Sequence, residues 1–359
     1  MKLCALCGEK KEQQPLGKSQ ESLFLCTNKK KYEAQKHTYK KLYGLFDIDW
    51  NLDAKVNILA GINGSFKSTV LHILEIILTG KFPTDYEVSE VTIHFEHNYS
   101  IYYKDIEDNL FNLQQQAQSD EVTKELISQL YRNVQGENND ELMNKVIHAS
   151  VLYAIVDGRR IPMQQLQEKI HFDFISTFDR LMASTEEKMS YLDKQLSALQ
   201  SDYAYFLSDL SKKLANLLTH SEGNVEKDKI QSIYAPKKQF IDTVNELFAG
   251  TNEQLDAEES KLTFMAKGGR KITIKQLSSG EKQMLIILLT ALLERTSPFL
   301  LLMDEPEISL HLEWQKRLIE IIQRFNPECQ VVMTTHSPGM IYNGWGDFVV
   351  EMENIVTPG

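Results

Sequence analysis

Residues 56–69 constrain this chain more than any other stretch. Val56-Asn57-Ile58-Leu59-Ala60 is a short apolar run with the character of a buried strand, and it leads directly into Gly61-Ile62-Asn63-Gly64-Ser65-Phe66-Lys67-Ser68-Thr69. Val70 to Leu78 follows with helical spacing, and Gly80, Pro83 and Asp85 mark its end. Strand, glycine loop and helix in this order make a cradle for phosphate. Backbone N–H groups from Asn63, Gly64, Ser65, Phe66, Lys67, Ser68 and Thr69 curl around the anion. Lys67 brings charge and Ser68 offers a hydroxyl to Mg²⁺. The usual pattern is G-x-x-x-x-G-K-[ST], and Phe66 stands where its second glycine belongs. Glycine takes torsions and close approaches that a bulky residue resists. Phe66 therefore strains the loop, narrows the phosphate site or turns outward.

Three further segments give this loop its context. Phe299-Leu300-Leu301-Leu302-Met303-Asp304-Glu305-Pro306 is an apolar strand ending in two acids. In that place Asp304 suits Mg²⁺ and Glu305 suits the orientation or deprotonation of an attacking water. Ahead of it, Leu277-Ser278-Ser279-Gly280-Glu281-Lys282-Gln283 opens a helix. Alone, Ser278 to Glu281 reads as an ordinary capping box. In this order and spacing Ser278, Ser279, Gly280 and Glu281 read as an anion site at a helix N-terminus. Thr334-Thr335-His336-Ser337-Pro338 follows another buried strand, and His336 is placed to sense a terminal phosphate.

These four elements, in this order, resemble the ABC-type ATPases of the RecF, SMC and OLD group. Lys67 and Ser68 match the Walker A motif, Ser278 to Glu281 the signature, Asp304 and Glu305 the Walker B motif, and His336 the switch histidine. Glu307 to His311 stand where the D-loop lies. The resemblance implies an α/β fold: an ABC-type P-loop ATPase head with a helical insertion containing an antiparallel helical hairpin. It implies ATP and Mg²⁺ as ligands, Glu305 and His336 as catalytic residues, and a homodimer in which each signature faces the other head's phosphates. Asp304-Glu305-Pro306-Glu307-x-Ser309-Leu310-His311 and Thr335-His336-Ser337-Pro338 look most like the standalone ATPases of bacterial anti-phage systems of Septu and retron type. Such ATPases act with a separate effector, often a nuclease. Two other readings stand beside this one. The chain is a nucleotide-holding scaffold that hardly hydrolyses, because of Phe66, or a DNA-repair head that binds nucleic acid. ABC-type sites also use a glutamine between Walker A and the signature, and the sequence does not single one out.

The remaining text divides the chain into a basic arm (1–40), a first part of the ATPase core (41–105), a mainly helical insertion (106–260) and a second part of the core (261–359). Leu42, Gly44, Phe46, Ile48 and Trp50 alternate as a strand, and residues 90–104 form a hairpin turning at His97-Asn98. His171 to Ile175 is a further strand, and Arg180 beyond it can approach a phosphate or form a surface ion pair. Met189, Leu192, Leu196, Leu199, Tyr203, Phe206, Leu210, Leu214 and Leu217 keep a near-heptad spacing, which predicts a long amphipathic helix. Ser221 to Asn224 is a turn, and the helix after it must break or restart at Pro236. Ten lysines against four glutamates give residues 1–41 a charge of +6 and leave −17 on the rest of a chain whose net charge is −11. An acidic body does not coat nucleic acid with its whole surface, while the arm can touch phosphates or an acidic partner. Cys4, Cys7 and Cys26 resemble part of a zinc ribbon, but Lys29 stands at the fourth position and free thiols in a reducing cell are the stronger reading. With no secretory signal and no apolar run of about 18 residues, the expectation is a cytoplasmic protein without a membrane span.

Overall fold

The same apolar runs that mark the motifs build the central sheet. In the computed structural model, which describes residues 32–109, 124, 127, 146–176, 190–220, 227–251, 253–256, 261–341 and 344–359, the elements run as follows. The first part holds β1 (Ala34–Leu42), β2 (Phe46–Asn51), β3 (Val56–Ala60), α1 (Lys67–Leu78), β4 (Glu90–Phe95) and β5 (Tyr99–Asn109). Next come β6 (Val146–Val156), β7 (Arg159–Ile161), α2 (Met163–Gln167), β8 (Phe172–Ser176), α3 (Tyr191–Thr219) and α4 (Lys227–Leu247). The rest comprises β9 (Gln254–Leu255), β10 (Thr263–Ala266), β11 (Arg270–Thr273), α5 (Ser279–Leu293), β12 (Phe299–Asp304), α6 (Leu312–Phe325), β13 (Cys329–Thr335), α7 (Pro338–Ile341), β14 (Val349–Glu351), α8 (Met352–Ile355) and β15 (Val356–Pro358).

Five strands form a parallel sheet in the order β14-β3-β13-β12-β8. Its strands read as continuous apolar runs because both faces are covered. Along β12, Phe299, Leu301 and Met303 enter one core while Leu300 and Leu302 enter another. The first core packs α3, α4, α5 and α6 against the sheet. The second lies between the sheet, α1 and a seven-stranded antiparallel sheet ordered β15-β2-β1-β4-β5-β6-β7. The small sheet β11-β10-β9 contributes Phe264 and Ile272 to the first core. No described helix is long and apolar enough to cross a membrane.

Several elements depart from the sequence reading. The alternation from Leu42 to Trp50 crosses a turn instead of one strand. Lys41, Tyr43 and Gly44 take φ values of 49°, 53° and 68°, which reverse the chain between β1 and β2, with a register shift between Tyr39 and Leu42. The mainly helical reading of 106–260 fails over 146–161, where β6 pairs with β5 residue for residue and also with β7. Its mixed run of Ala, Leu and β-branched residues has no periodicity that separates a strand from a buried helix. Pro236 neither breaks nor starts α4 but sits within it. The carbonyl it leaves unpaired belongs to exposed Ser232, where water can replace the lost donor. The two long helices meet midway, the Tyr203 ring lying 5.5 Å from that of Phe240. Their expected turn at 221–224, Arg180, and the arm with Cys4, Cys7 and Cys26 lie outside the described residues.

Candidate functional site

Parallel strands deliver their C-terminal ends to one edge of the sheet, and ligands of open α/β sheets bind there. Here that edge receives Ala60, Asp304 and Thr335, and Ser176 is paired in register with Asp304. The loop after β3 has Gly61, Gly64 and Phe66 at positive φ (150°, 79° and 66°), which curls it over the start of α1. Gly64 meets nothing where a Cβ would go, so its need for glycine is conformational. Phe66 holds the left-handed torsion of a glycine at a cost of roughly 1–2 kcal/mol. Its ring packs on Tyr43 at 5.2 Å and Phe46 at 5.5 Å. Of the three outcomes the sequence left open, the structure shows the strained torsion.

Tyr43, Asn63, Gly64, Ser65, Phe66, Lys67, Ser68, Thr69, Glu305 and His336 line one solvent-open cavity of about 410 Å³. Lys67 is buried to 3 % exposure, and its ammonium donates to the Gly61 and Ile62 carbonyls, each at 3.0 Å. Burial lowers its pKa, against the pull of Glu305, Asp304, Glu307 and Glu351. Asp304 is fully buried. Burial raises its pKa, but hydrogen bonds from His72, Thr334 and Ser68 outweigh that and hold the carboxyl below its ordinary range. Thr334 Oγ1 donates to Asp304 Oδ1 at 2.6 Å, and His72 Nε2 lies 3.4 Å from Oδ2. The Ser68 hydroxyl and the Asp304 carboxylate thus already touch. A hydroxyl beside one ionised carboxylate suits Mg²⁺, which takes few protein ligands and fills its shell with water and phosphate.

Glu305 follows β12 with φ 46°, a left-handed torsion that turns its side chain off the strand. Its Oε1 lies 3.0 Å from His336 Nε2. The signature residues stand apart from this cavity. Ser278 and Glu281 form a complete capping box at the start of α5, with Ser278 N to Glu281 Oε2 at 2.8 Å. Ser278 and Ser279 are exposed. Gly280 is buried, and a Cβ there would sit 2.2 Å from the Ser309 carbonyl oxygen. None of Ser278, Ser279, Gly280 or Glu281 lines the cavity formed by the phosphate loop.

Sequence reasoning overlooked His72 and Tyr43. His72 lies one helical turn beyond Ser68, so it shares that residue's face of α1, and its Nδ1 is 3.0 Å from the Tyr86 hydroxyl. Tyr43 carried no signal, because only the reversal between β1 and β2 brings it to the loop. The unplaced glutamine has a partial answer. β8 ends beside Asp304 at Ser176, and no glutamine follows in the sequence until Gln195 on α3. Among the described residues no group of three or more His, Cys, Asp or Glu is placed to hold a metal ion on its own.

Comparison with known proteins agrees with this geometry. Residues 165–341 match the family model described as "AAA domain, putative AbiEii toxin, Type IV TA system". The chain is similar to "Retron Vc95 probable ATPase" of Vibrio cholerae serotype O1 biovar El Tor, 23 % identical over 46 % of this chain and 33 % of that protein. It is also similar to "Septu protein PtuA" of Bacillus thuringiensis, 43 % identical over 42 residues, 12 % of this chain and 11 % of that one. The chain therefore spans a third or less of the length of these two relatives. Among solved structures, an Smc head bound to the C-winged helix domain of ScpA superposes with a TM-score of 0.53 at 12 % identity, over 91 % of this chain and 97 % of that one. With the phosphate loop, Glu305 and His336 gathered around one cavity, the chain resembles the ABC-type ATPases of the RecF, SMC and OLD group.

Proposed function

We propose that this chain is an ATP-driven switch: it binds Mg-ATP at the cavity between the phosphate loop and β12, dimerises around the nucleotide and governs a separate effector. The observation that carries the reading is the convergence of Lys67, Ser68, Glu305 and His336, with Asp304 beneath them. Lys67 exchanges its two loop carbonyls for phosphate oxygens. Ser68 and Asp304 hold Mg²⁺, which neutralises charge on the phosphates. Glu305, released from His336, orients and deprotonates the attacking water, and His336 turns to the terminal phosphate. The Tyr43 ring offers a face to the base. The detachment of Ser278 to Glu281 from the cavity of their own head supports a site completed by the signature of a second head. The exposed side chains Ile62 and Ile308 fit a surface meant to be covered.

The effector reading rests on likeness to the retron and Septu proteins, and a nuclease in anti-phage defence is the effector we favour. A cytoplasmic setting fits that role. A second reading, a nucleotide-holding scaffold, is favoured by one observation, the left-handed torsion forced on Phe66. Binding of nucleic acid by the basic arm, as in a DNA-repair head, rests on the sequence alone, and so does zinc at Cys4, Cys7 and Cys26.

Phosphate release from Mg-ATP separates the first two readings. Turnover in the wild type, lost in Glu305→Gln together with an ATP-dependent doubling of mass in light scattering, is the expected result. A silent wild type that gains turnover in Phe66→Gly would transfer the case to the scaffold.

A further inference from the structure

His336 is held by hydroxyl side chains on either side of it, each tied to the segment that follows β12. Thr334 Oγ1 bonds Asp304 and accepts from the Glu305 N–H at 3.1 Å. Thr335 Oγ1 donates to Glu307 Oε1 at 2.7 Å. Ser337 Oγ donates to Gln315 Oε1 at 2.7 Å, and Gln315 Nε2 in turn reaches the Leu310 carbonyl at 2.9 Å. The centre of this arrangement is Glu307. Its Oε1 accepts from the backbone N–H of His336 itself, at 2.7 Å, as well as from Thr335. Glu307 is 8 % exposed, and its Oε2 is buried with no partner among the described residues. Burying a carboxylate is costly unless it is well bonded. Here both bonds that offset the cost go to the loop carrying His336.

We propose that Glu307 is a positioning residue, which fixes the backbone of His336 so that its ring meets Glu305. The proposal rests on the ATPase reading for its kinetic consequence, but not for its structural one. The two bonds hold the Thr335 hydroxyl and the His336 N–H, and loss of Glu307 breaks no hydrogen bond of Lys67, Ser68 or the phosphate loop. It frees the histidine and, through the 3.0 Å contact, the water-directing carboxylate. A glutamine at 307 keeps an oxygen able to accept both bonds, whereas alanine keeps none.

The test combines turnover, nucleotide affinity and amide exchange in the full chain. In Glu307→Ala, kcat is expected to fall roughly 10- to 100-fold while KM and the affinity for a fluorescent ATP analogue stay within about twofold. Exchange of the peptide spanning 334–338 should rise in this variant while that of β12 and α1 does not. Glu307→Gln should restore most of both. Thr335→Val, which removes one of the two donors, should fall between, and it serves if the alanine variant does not fold. Unchanged kcat and exchange in Glu307→Ala, or a uniform loss of protection across the molecule, would overturn the proposal. Absence of turnover in the wild type would count against the ATPase reading and leave the exchange measurement to decide on Glu307.

Discussion

Single residues here carry loads that their types do not announce. Phe66 does the torsional work of a glycine and lodges its ring between Tyr43 and Phe46, so the departure from the usual loop pattern is compensated by packing outside the motif. Gly280 shows the opposite case, a residue needed for what it lacks. Its Cα lies so close to the Ser309 carbonyl that Gly280→Ala must push the turn after β12 away from α5. Overpacking of this kind costs about 1–3 kcal/mol, and the urea midpoint should fall accordingly. An unchanged midpoint would mean that the turn gives way freely. The main candidates Lys67, Ser68, Asp304, Glu305 and His336 were legible because each stands at a fixed place in a motif. His72, Thr334 and Glu307 were not legible as partners, because their hydrogen bonds join segments far apart in sequence and no local spacing encodes them.

Elements were legible where periodicity was strong and unlegislated by context. β12 and the heptad-like α3 lie close to where their apolar spacing puts them, and the β4–β5 hairpin turns at His97 and Asn98 as read. β6 was misread, since an apolar run of that length is ambiguous without its neighbour β5 to pair with. The helices outside the sheet are tied to the motif helices by side chains that the sequence shows only as a pattern. Lys282, just inside α5, pairs with Asp193 of α3 at 2.9 Å, and the Phe240 ring on α4 packs on Tyr203 and Phe325. Phe240 is fully buried, so Phe240→Ala should cost about 3–5 kcal/mol in denaturant titration. A loss below about 1 kcal/mol would show that α3 and α4 do not fold as one body with the ATPase core.

At the scale of the whole molecule, one buried histidine couples stability to pH. His37 in β1 is fully buried, with the Trp50 ring edge-on to it, and neither ring nitrogen has a hydrogen-bond partner among the described residues. Burial, helped by nearby His94, pushes its pKa down to about 3. The unfolded chain therefore takes up a proton below about pH 6.5 that the folded chain refuses. Stability is complete above that pH and declines as pH falls toward the folded value, by roughly 2 kcal/mol between pH 7 and 5. His37→Phe should flatten that part of the profile, and an unchanged slope would assign it to other groups. The fold as a whole was legible as an order of motifs but not as a sheet order, because β3 lies beside β13 and β13 beside β12, which no local signal reports. That adjacency also has a consequence for synthesis. A ribosome that has made the phosphate loop must still add every residue through β13 before the strand beside it exists. Until then the nascent chain carries a phosphate loop with no Asp304, Glu305 or His336 opposite it. Assembly of the candidate site is thus a late event in the life of each molecule, and chains cut short before β12 are born without its second wall.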